Sequence, residues 1–354
     1  MTGMERLPST DLYFRNACGV WLGLDGLSLS MLRSRQRNGR AHALSANSYA
    51  VGDWLVLVRR DTPLAMGRAL RWHGRVAYVM DDDFAAGAAD PHLPRDYARR
   101  LGDFARDWLG PLLARADVVL AASDPLADRL GGAGPWLRRI DPVWGGTPAD
   151  TAHYAPLAAG GTLQIAHLGS ASHGAALARV APAVLRLLDR AAAGQIAPVR
   201  FTYMAAAPVS PALEHHPLAR RIEPMTWSEY RRWIGRQRFH LALYPLLAGG
   251  LDGARSAAKL GEHGVCGAVG VYPAGWAPGA AMAAEGAAWA APDAPADWAD
   301  TLDQAQARRG DLAAMAAAAA RRLNDAAAAD AQRALWTDVL GGSLAPVCTR
   351  PGWA

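Results

Sequence analysis

Cysteine is scarce and ill-placed to pair. Cys18, Cys266 and Cys348 are three, an odd number, scattered along the chain without metal-ligand spacing. That excludes a disulfide scaffold and a zinc module, and it suits a reducing compartment. Long apolar runs are also missing. No stretch approaches the ~18 residues that span a bilayer. The nearest thing to a signal-peptide core, residues 17–32, is interrupted by Asp25 and followed by no cleavage site. A cytoplasmic protein is the expectation. Dense basic stripes are lacking as well. The net charge of +5 and pI near 9.4 come from dispersed residues, which suits an anionic substrate or peripheral contact with an acidic inner-membrane surface, but not nucleic acid. There is no repeat of solenoid length, and no Ser-His-Asp or Cys-His arrangement.

What is present is a globular chain of 354 residues, 51% hydrophobic and 19% charged, long enough for two domains with separate cores. From Asp53 the pattern alternates: a buried strand at Trp54–Val58, a helix over 63–72, and a strand over 76–80 ending in Asp81-Asp82-Asp83. An amphipathic helix over 95–114 and a strand at Val118–Ala121 follow, and Ser123 then caps a helix to residue 130. Residues 145–161, rich in Gly, Pro, Ala and Thr, read as an interdomain linker. A second series follows: a strand over 163–168, a helix over 174–189, a strand at Val199–Met204 and a helix near 228–237. Strands alternating with helices predict parallel sheets covered on both faces, with a cleft between two α/β halves. The basic cluster Arg33, Arg35, Arg37 and Arg40 reads as a solvated helix end or loop. The tail beyond residue 280 is dominated by alanine. It reads either as helices over 311–323 and 325–340 with a thin apolar face, or as a partly disordered low-complexity segment.

The chain is organised around residues 240–272: an apolar strand, a glycine-rich turn, a short helix, a glycine stop and a second strand. Asp252 is the expected N-cap, Gly264 and Gly267 close the helix after His263, and residues 265–271 form the next strand. On a helical wheel Arg255, Lys259 and Glu262 share one stripe. Two readings are open. The stripe is either a solvated face stabilised by i,i+3 and i,i+4 pairs, or a phosphate site made by two cations at a helix N-terminus, with Glu262 accepting from hydroxyls. A strand-to-helix turn at the carboxyl edge of an α/β sheet favours the second.

Tyr244-Pro245-Leu246, Asp252, Arg255-Ser256, Lys259, Glu262 and Gly267 resemble the donor-nucleotide segment of GT-B glycosyltransferases, in the retaining group often called group one or family four. That segment commonly runs "a-P-l", "F-N", "K-S", "K", "E" and then glycine. Pro245, Ser256, Lys259, Glu262 and Gly267 match. Leu251, Asp252 and Arg255 depart, and the first of the family's two glutamates falls on Ala254. The resemblance implies two Rossmann-like domains facing a cleft, with the donor's ribose on Glu262. It implies an acceptor domain over 1–150, a donor domain over 151–320, and a C-terminal helical segment over 321–354 packing back on the first.

Two other stretches can carry chemistry. Gly169-Ser170-Ala171-Ser172-His173-Gly174 spaces its glycines as a P-loop does, but Ala175 and Ala176 stand where lysine and a hydroxyl residue are needed. It is either a hydroxyl-rich phosphate turn or a plain helix start with Ser172 as cap and His173 exposed. Family relatives often show a similar "G-t-x-S-H". Asp81-Asp82-Asp83 can hold a divalent ion on a diphosphate, as in metal-dependent transferases; it can position an acceptor or act as base; or it can be a capping turn. Thirteen tryptophans suit stacking on sugars, Trp227 with Tyr230 near the cleft edge among them, though most such rings serve cores.

Together these point to a metal-independent transferase without a cofactor, using a nucleotide sugar as substrate and a glycan or glycolipid as acceptor; retention of anomeric configuration is what the family resemblance implies. The candidate catalytic residues are Asp82, Asp83, His173 and Lys259. The candidate donor-binding residues are Gly169, Ser170, Ser172, His173, Tyr244, Pro245, Arg255, Ser256, Lys259 and Glu262. The rival expectations are an inactive scaffold of the same fold, and a metal-dependent transferase using Asp81 and Asp83.

Overall fold

The computed structural model describes residues 7–19, 41–131, 136–146, 148–207, 209–323 and 325–341. Arg33, Arg35, Arg37, Arg40, most of the 17–32 stretch and Cys348 lie outside the described residues. The first half comprises α1 (residues 8–18), β1 (Ala41–Ala43), β2 (Ser48–Val51), β3 (Trp54–Val58), α2 (Pro63–Leu70), β4 (Arg75–Met80), α3 (Phe84–Ala88), α4 (residues 95–115), β5 (Val118–Ala121), α5 (Asp124–Arg129) and β6 (Leu137–Arg139). The helix starts follow local chemistry. Thr62, Asp83 and Ser123 each accept from the backbone N–H three residues on, and Pro63 and Pro125 occupy first-turn positions with no N–H to lose.

The six strands pair in sequence order, antiparallel from β1 to β3 and parallel from β3 to β6. Right-handed crossovers between parallel strands laid down in one direction send their helices to the same face. Side chains record this with period two. Leu55, Leu57, Val76, Tyr78 and Val119 pack in the cluster containing the α2–α5 side chains, whereas Trp54, Val56, Val58, Ala77, Val79 and Leu120 point the other way. That second face is covered by residues 8–18 and by the helix over 325–340.

The second half comprises β7 (Leu163–His167), α6 (Gly174–Ala192), β8 (Val199–Met204), β9 (Ala219–Ile222), α7 (Trp227–Ile234), β10 (Leu241–Leu243), α8 (Ala258–Val265), β11 (Val269–Pro273), α9 (Ala277–Ala284), β12 (Ala288–Ala291), α10 (Ala299–Ala307), α11 (Leu312–Arg322) and α12 (Asp325–Leu340). Its sheet is parallel throughout, with order β12-β11-β10-β7-β8-β9. The order reverses between β7 and β10, which opens a crevice at their carboxyl ends.

In the alanine-rich tail, Ala299–Ala307, Leu312–Arg322 and Asp325–Leu340 are helices. On α12, Trp336 and Leu340 are fully buried. The Trp336 ring meets Phe14 edge-on at 5.0 Å and its Nε1 donates to the Tyr13 carbonyl at 2.9 Å. Gln332 donates to the carbonyls of Leu12 and Asp141. One large ring and one amide thus let a helix with a thin apolar face dock on α1 and close the exposed side of the first sheet. Within the expected linker at 145–161, Tyr154 is buried and donates to the carbonyls of His240 and Gly267 at the base of the second sheet. Cys18 and Cys266 are unpaired, and burial pushes both thiols up to about 12. Among the described residues no helix is long and apolar enough to cross a membrane.

Candidate active site

A cavity of about 620 Å³ lies where the reversal point of the second sheet faces the first half. The loop after β7 brings Gly169, Ser170 and His173 to it. The segment after β10 brings Tyr244, Arg255 and Ser256, and α8 brings Lys259 and Glu262. The first half contributes Ser9, Tyr13, Arg59, Asp81 and Asp82, while Met204, Met225, Trp227 and Tyr230 form an apolar end.

The helix carrying the site starts later than its sequence suggests. Asp252–Ala254 forms a single tight turn, Arg255 is extended (φ −63°, ψ 134°), and α8 begins only at Ala258. Arg255 and Lys259 are therefore not successive turns of one helix. Asp252 caps nothing on α8; its carboxylate instead accepts from Leu247 N at 3.0 Å and from Arg255 Nε at 2.9 Å. The helix continues through Gly264 to Val265 and ends at Gly267, whose φ of 72° suits glycine, so β11 starts at Val269 rather than at 265.

Glu262 is 3% exposed and forms an ion pair with Lys259 one turn earlier, while the Tyr230 hydroxyl donates to its other oxygen. Lys259 also donates to the Leu168 carbonyl. Arg255 bridges the halves. Nη1 reaches Asp82 at 3.2 Å and Nη2 reaches Ser172 Oγ at 3.4 Å. Burial disfavours its charge, but Asp82, Tyr244 and Asp252 outweigh that and hold its pKa above the ordinary range. His173 is buried, not exposed, and Ser172 makes no cap bond to α6. Burial, then the neighbouring Arg255 and Lys259, push the His173 imidazole well below its usual pKa, so it is neutral near pH 7.

The three aspartates separate. Asp81 accepts from Ser9 and pairs with Arg59 at 3.3 Å; burial raises its pKa against the pull of Arg59. Asp82 lies between Arg59 and Arg255. Asp83 does not line the cavity: it caps α3 and pairs with Arg129. Pro245 is buried behind the cavity wall, and Ser172 reaches the site through Arg255 and through Ser170 Oγ at 3.0 Å. Ser256 accepts from the Tyr13 hydroxyl at 2.7 Å. Among the described residues no group of three or more His, Cys, Asp or Glu is placed to hold a metal ion.

Ser9, Tyr13 and Arg59 are additions that sequence reasoning missed, because nothing local marks them. Arg59 has a φ of 61°, the one positive value outside glycine among the described residues, a conformation that surrounding contacts must hold in place. Lys259 did carry an overlooked signal. It is the single lysine in a chain whose other 36 long cationic side chains are arginine. Arginine is a planar fork and lysine a compact point charge, so the one exception sets this position chemically apart from every other cation of the chain.

Two six-stranded α/β sheets facing across a cleft, with the last helix returned to the first half, are the GT-B fold. Solved structures similar to this chain bear that out. Anabaena Alr3699/HepE in complex with UDP and glucose aligns with a TM-score of 0.51 at 12% identity, over 80% of this chain and 77% of that one. Sucrose-phosphate synthase (tll1590) from Thermosynechococcus elongatus aligns with a TM-score of 0.52 at 10% identity, over 78% and 71%. TarM aligns at 0.53 and 8%, over 81% and 54%. At such identities the likeness is one of fold. No protein-family model and no curated protein sequence matches the chain.

Proposed function

We propose that the protein is a glycosyltransferase that binds a nucleotide sugar in this cavity and transfers the sugar to a glycan or glycolipid hydroxyl, with retention and without a metal ion. The observation that carries the reading is the convergence of Arg255, the only lysine and the buried Glu262 on the crevice at the sheet reversal. The base lies against Met204, Met225 and Trp227, and the ribose hydroxyls donate to Glu262. The diphosphate is held by Lys259, Arg255, Ser170 and the N–H groups opening α6. As the anomeric carbon–oxygen bond breaks, charge grows on the diphosphate oxygen, and these fixed cations stabilise it more than they stabilise the bound donor. The acceptor oxygen bonds to the anomeric carbon from the side of the first half, where Asp82 orients it, and the acceptor's proton passes to the departing diphosphate oxygen. Asp83 has no part in this reading.

Independence from metal is supported by the carboxylates being taken: Asp81 and Asp82 by Arg59 and Arg255, Asp83 by Arg129. A hard cation would have to displace arginines from all three. UDP is the first nucleotide to try, because the similar HepE structure is a UDP complex.

The test is calorimetric titration with UDP, GDP, CDP and ADP, each with Mg²⁺ and with chelator, on wild type and Lys259→Met. One nucleotide should bind irrespective of metal and lose about tenfold or more in affinity on Lys259→Met, the loss of a charge-assisted contact. The same nucleotide should protect Lys259, the sole side-chain amine, from an amine-reactive reagent read by mass spectrometry. Binding that needs Mg²⁺ and ignores Lys259 would move the chemistry to the aspartates. Failure to bind any of the four would favour a non-catalytic scaffold.

A further inference from the structure

The segment between β10 and α8 does not stay with its own sheet. Leu251 and Ala254, each 1% exposed, belong to the apolar cluster of the first half, with Leu93, Leu101 and Leu126. Gly87 on α3 makes the seat: a β-carbon there would stand 3.2 Å from Leu251 Cδ1 and 2.6 Å from Leu101 Cδ1. Two hydrogen bonds from the first half hold the strap on either side of that seat. Asp90 Oδ2 accepts from Leu251 N at 3.0 Å, and Ser123 Oγ donates to the Ala254 carbonyl at 2.7 Å. The turn into the strap uses Gly249 and Gly250 at φ 75° and 53°, and any side chain at Gly250 would strike the Asp90 carboxylate. Arg255 follows the strap directly, extended, with its guanidinium at the cavity wall.

We propose that Leu251 is a positioning residue that acts through Arg255: seated in the first half, it fixes Arg255 at the cavity, so the first half sets how strongly the second half holds a diphosphate. This rests on the reading of the cavity as a nucleoside-diphosphate site. The physical reason is preorganisation. A strap anchored in advance loses little freedom when the ligand arrives, whereas a loose one must be ordered by the ligand at the expense of affinity.

A double-mutant cycle tests it by titrating UDP, GDP, CDP and ADP into wild type, Leu251→Ala, Arg255→Ala and the double variant. For whichever nucleotide binds, Leu251→Ala should weaken binding about tenfold, and the double variant should bind no worse than Arg255→Ala alone. Leu251→Met, which fills the same seat, should retain affinity. Gly87→Ala, which crowds the seat from the opposite side, should weaken binding with Leu251 intact, and it carries the cycle if Leu251→Ala fails to fold. Losses that add, or unchanged affinity in both Leu251→Ala and Gly87→Ala, would overturn the proposal while leaving the donor site standing. No binding of any nucleotide to folded wild type would overturn the donor reading, and the strap's role with it.

Discussion

Replacing Glu262 by glutamine removes one charge and almost no volume, so its effects can be worked out from the contacts it changes. The carboxylate faces Lys259 on one oxygen and the Tyr230 hydroxyl on the other. An ionised carboxylate offers about four acceptor sites, which leaves about two for incoming hydroxyls. In the glutamine variant the amide oxygen stays with Lys259, because an N–H group there would oppose the ammonium. The amide nitrogen then faces Tyr230, whose hydroxyl must turn to accept, and only the oxygen's remaining lone pair can still accept from a ribose hydroxyl. Losing hydrogen bonds to a charged acceptor costs about 1.5–3 kcal/mol, which is roughly 10- to 150-fold in Kd. Breaking a buried ion pair costs about 3–5 kcal/mol when the survivor is fully enclosed. Lys259 is 16% exposed in its side chain and keeps the Leu168 carbonyl, so a stability loss nearer ~2 kcal/mol is expected. Calorimetric titration with the nucleotide that binds wild type, alongside urea unfolding, measures both quantities. A Kd within twofold of wild type would refute the assignment of Glu262 to the ribose. A marked stability loss with unchanged Kd would reduce the residue to a structural partner of Lys259.

Trp336→Ala should destabilise the protein by about 3–5 kcal/mol, the usual cost of emptying a buried indole site, and should expose the first sheet's open face; urea unfolding and hydrogen exchange at residues 8–18 measure it. Acid should destabilise the native state by forcing protons onto buried imidazoles. His167, His173, His240 and His263 are all buried, and burial is the leading cause that lowers each pKa, to about 3 for His167 and about 4 for His240. Unfolded histidine titrates near ~6.5, so below that pH the unfolded chain binds protons the native state refuses. The stabilisation is complete above about pH 6.5 and is lost as pH falls toward 4, at up to about 1.4 kcal/mol per pH unit for each histidine. The urea midpoint measured from pH 7.5 to 5 should fall steeply, and less steeply in His240→Gln. A flat profile over that range would contradict the burial of these rings.

Much of the architecture was legible because it is local. Trp54–Val58 and Val199–Met204 are strands with the bounds their apolar runs suggest, and α12 spans Asp325–Leu340, where alanine's helix preference is strongest. Lys259 and Glu262 could be placed on one helix face for the same reason, since three residues of separation put them side by side on any helix. The neighbourhood of Arg255 was less legible. Its backbone is extended, and residues 251–254 just before it pack on the first half, neighbours that a helical wheel does not contain.

The sequence by itself determined the alternating α/β character, most strand and helix positions, and the set of cations and hydroxyls after β7 and β10. Only the tertiary structure decided how the three aspartates divide, that Ser9, Tyr13 and Arg59 reach the cavity, and that α1 and α12 cover the first sheet. Trp336 donates to a carbonyl 323 positions away, and Arg255 finds Asp82 across 173. Periodicity and capping are set by neighbours within a turn or two, whereas pairings of that reach depend on which faces the completed sheets leave uncovered.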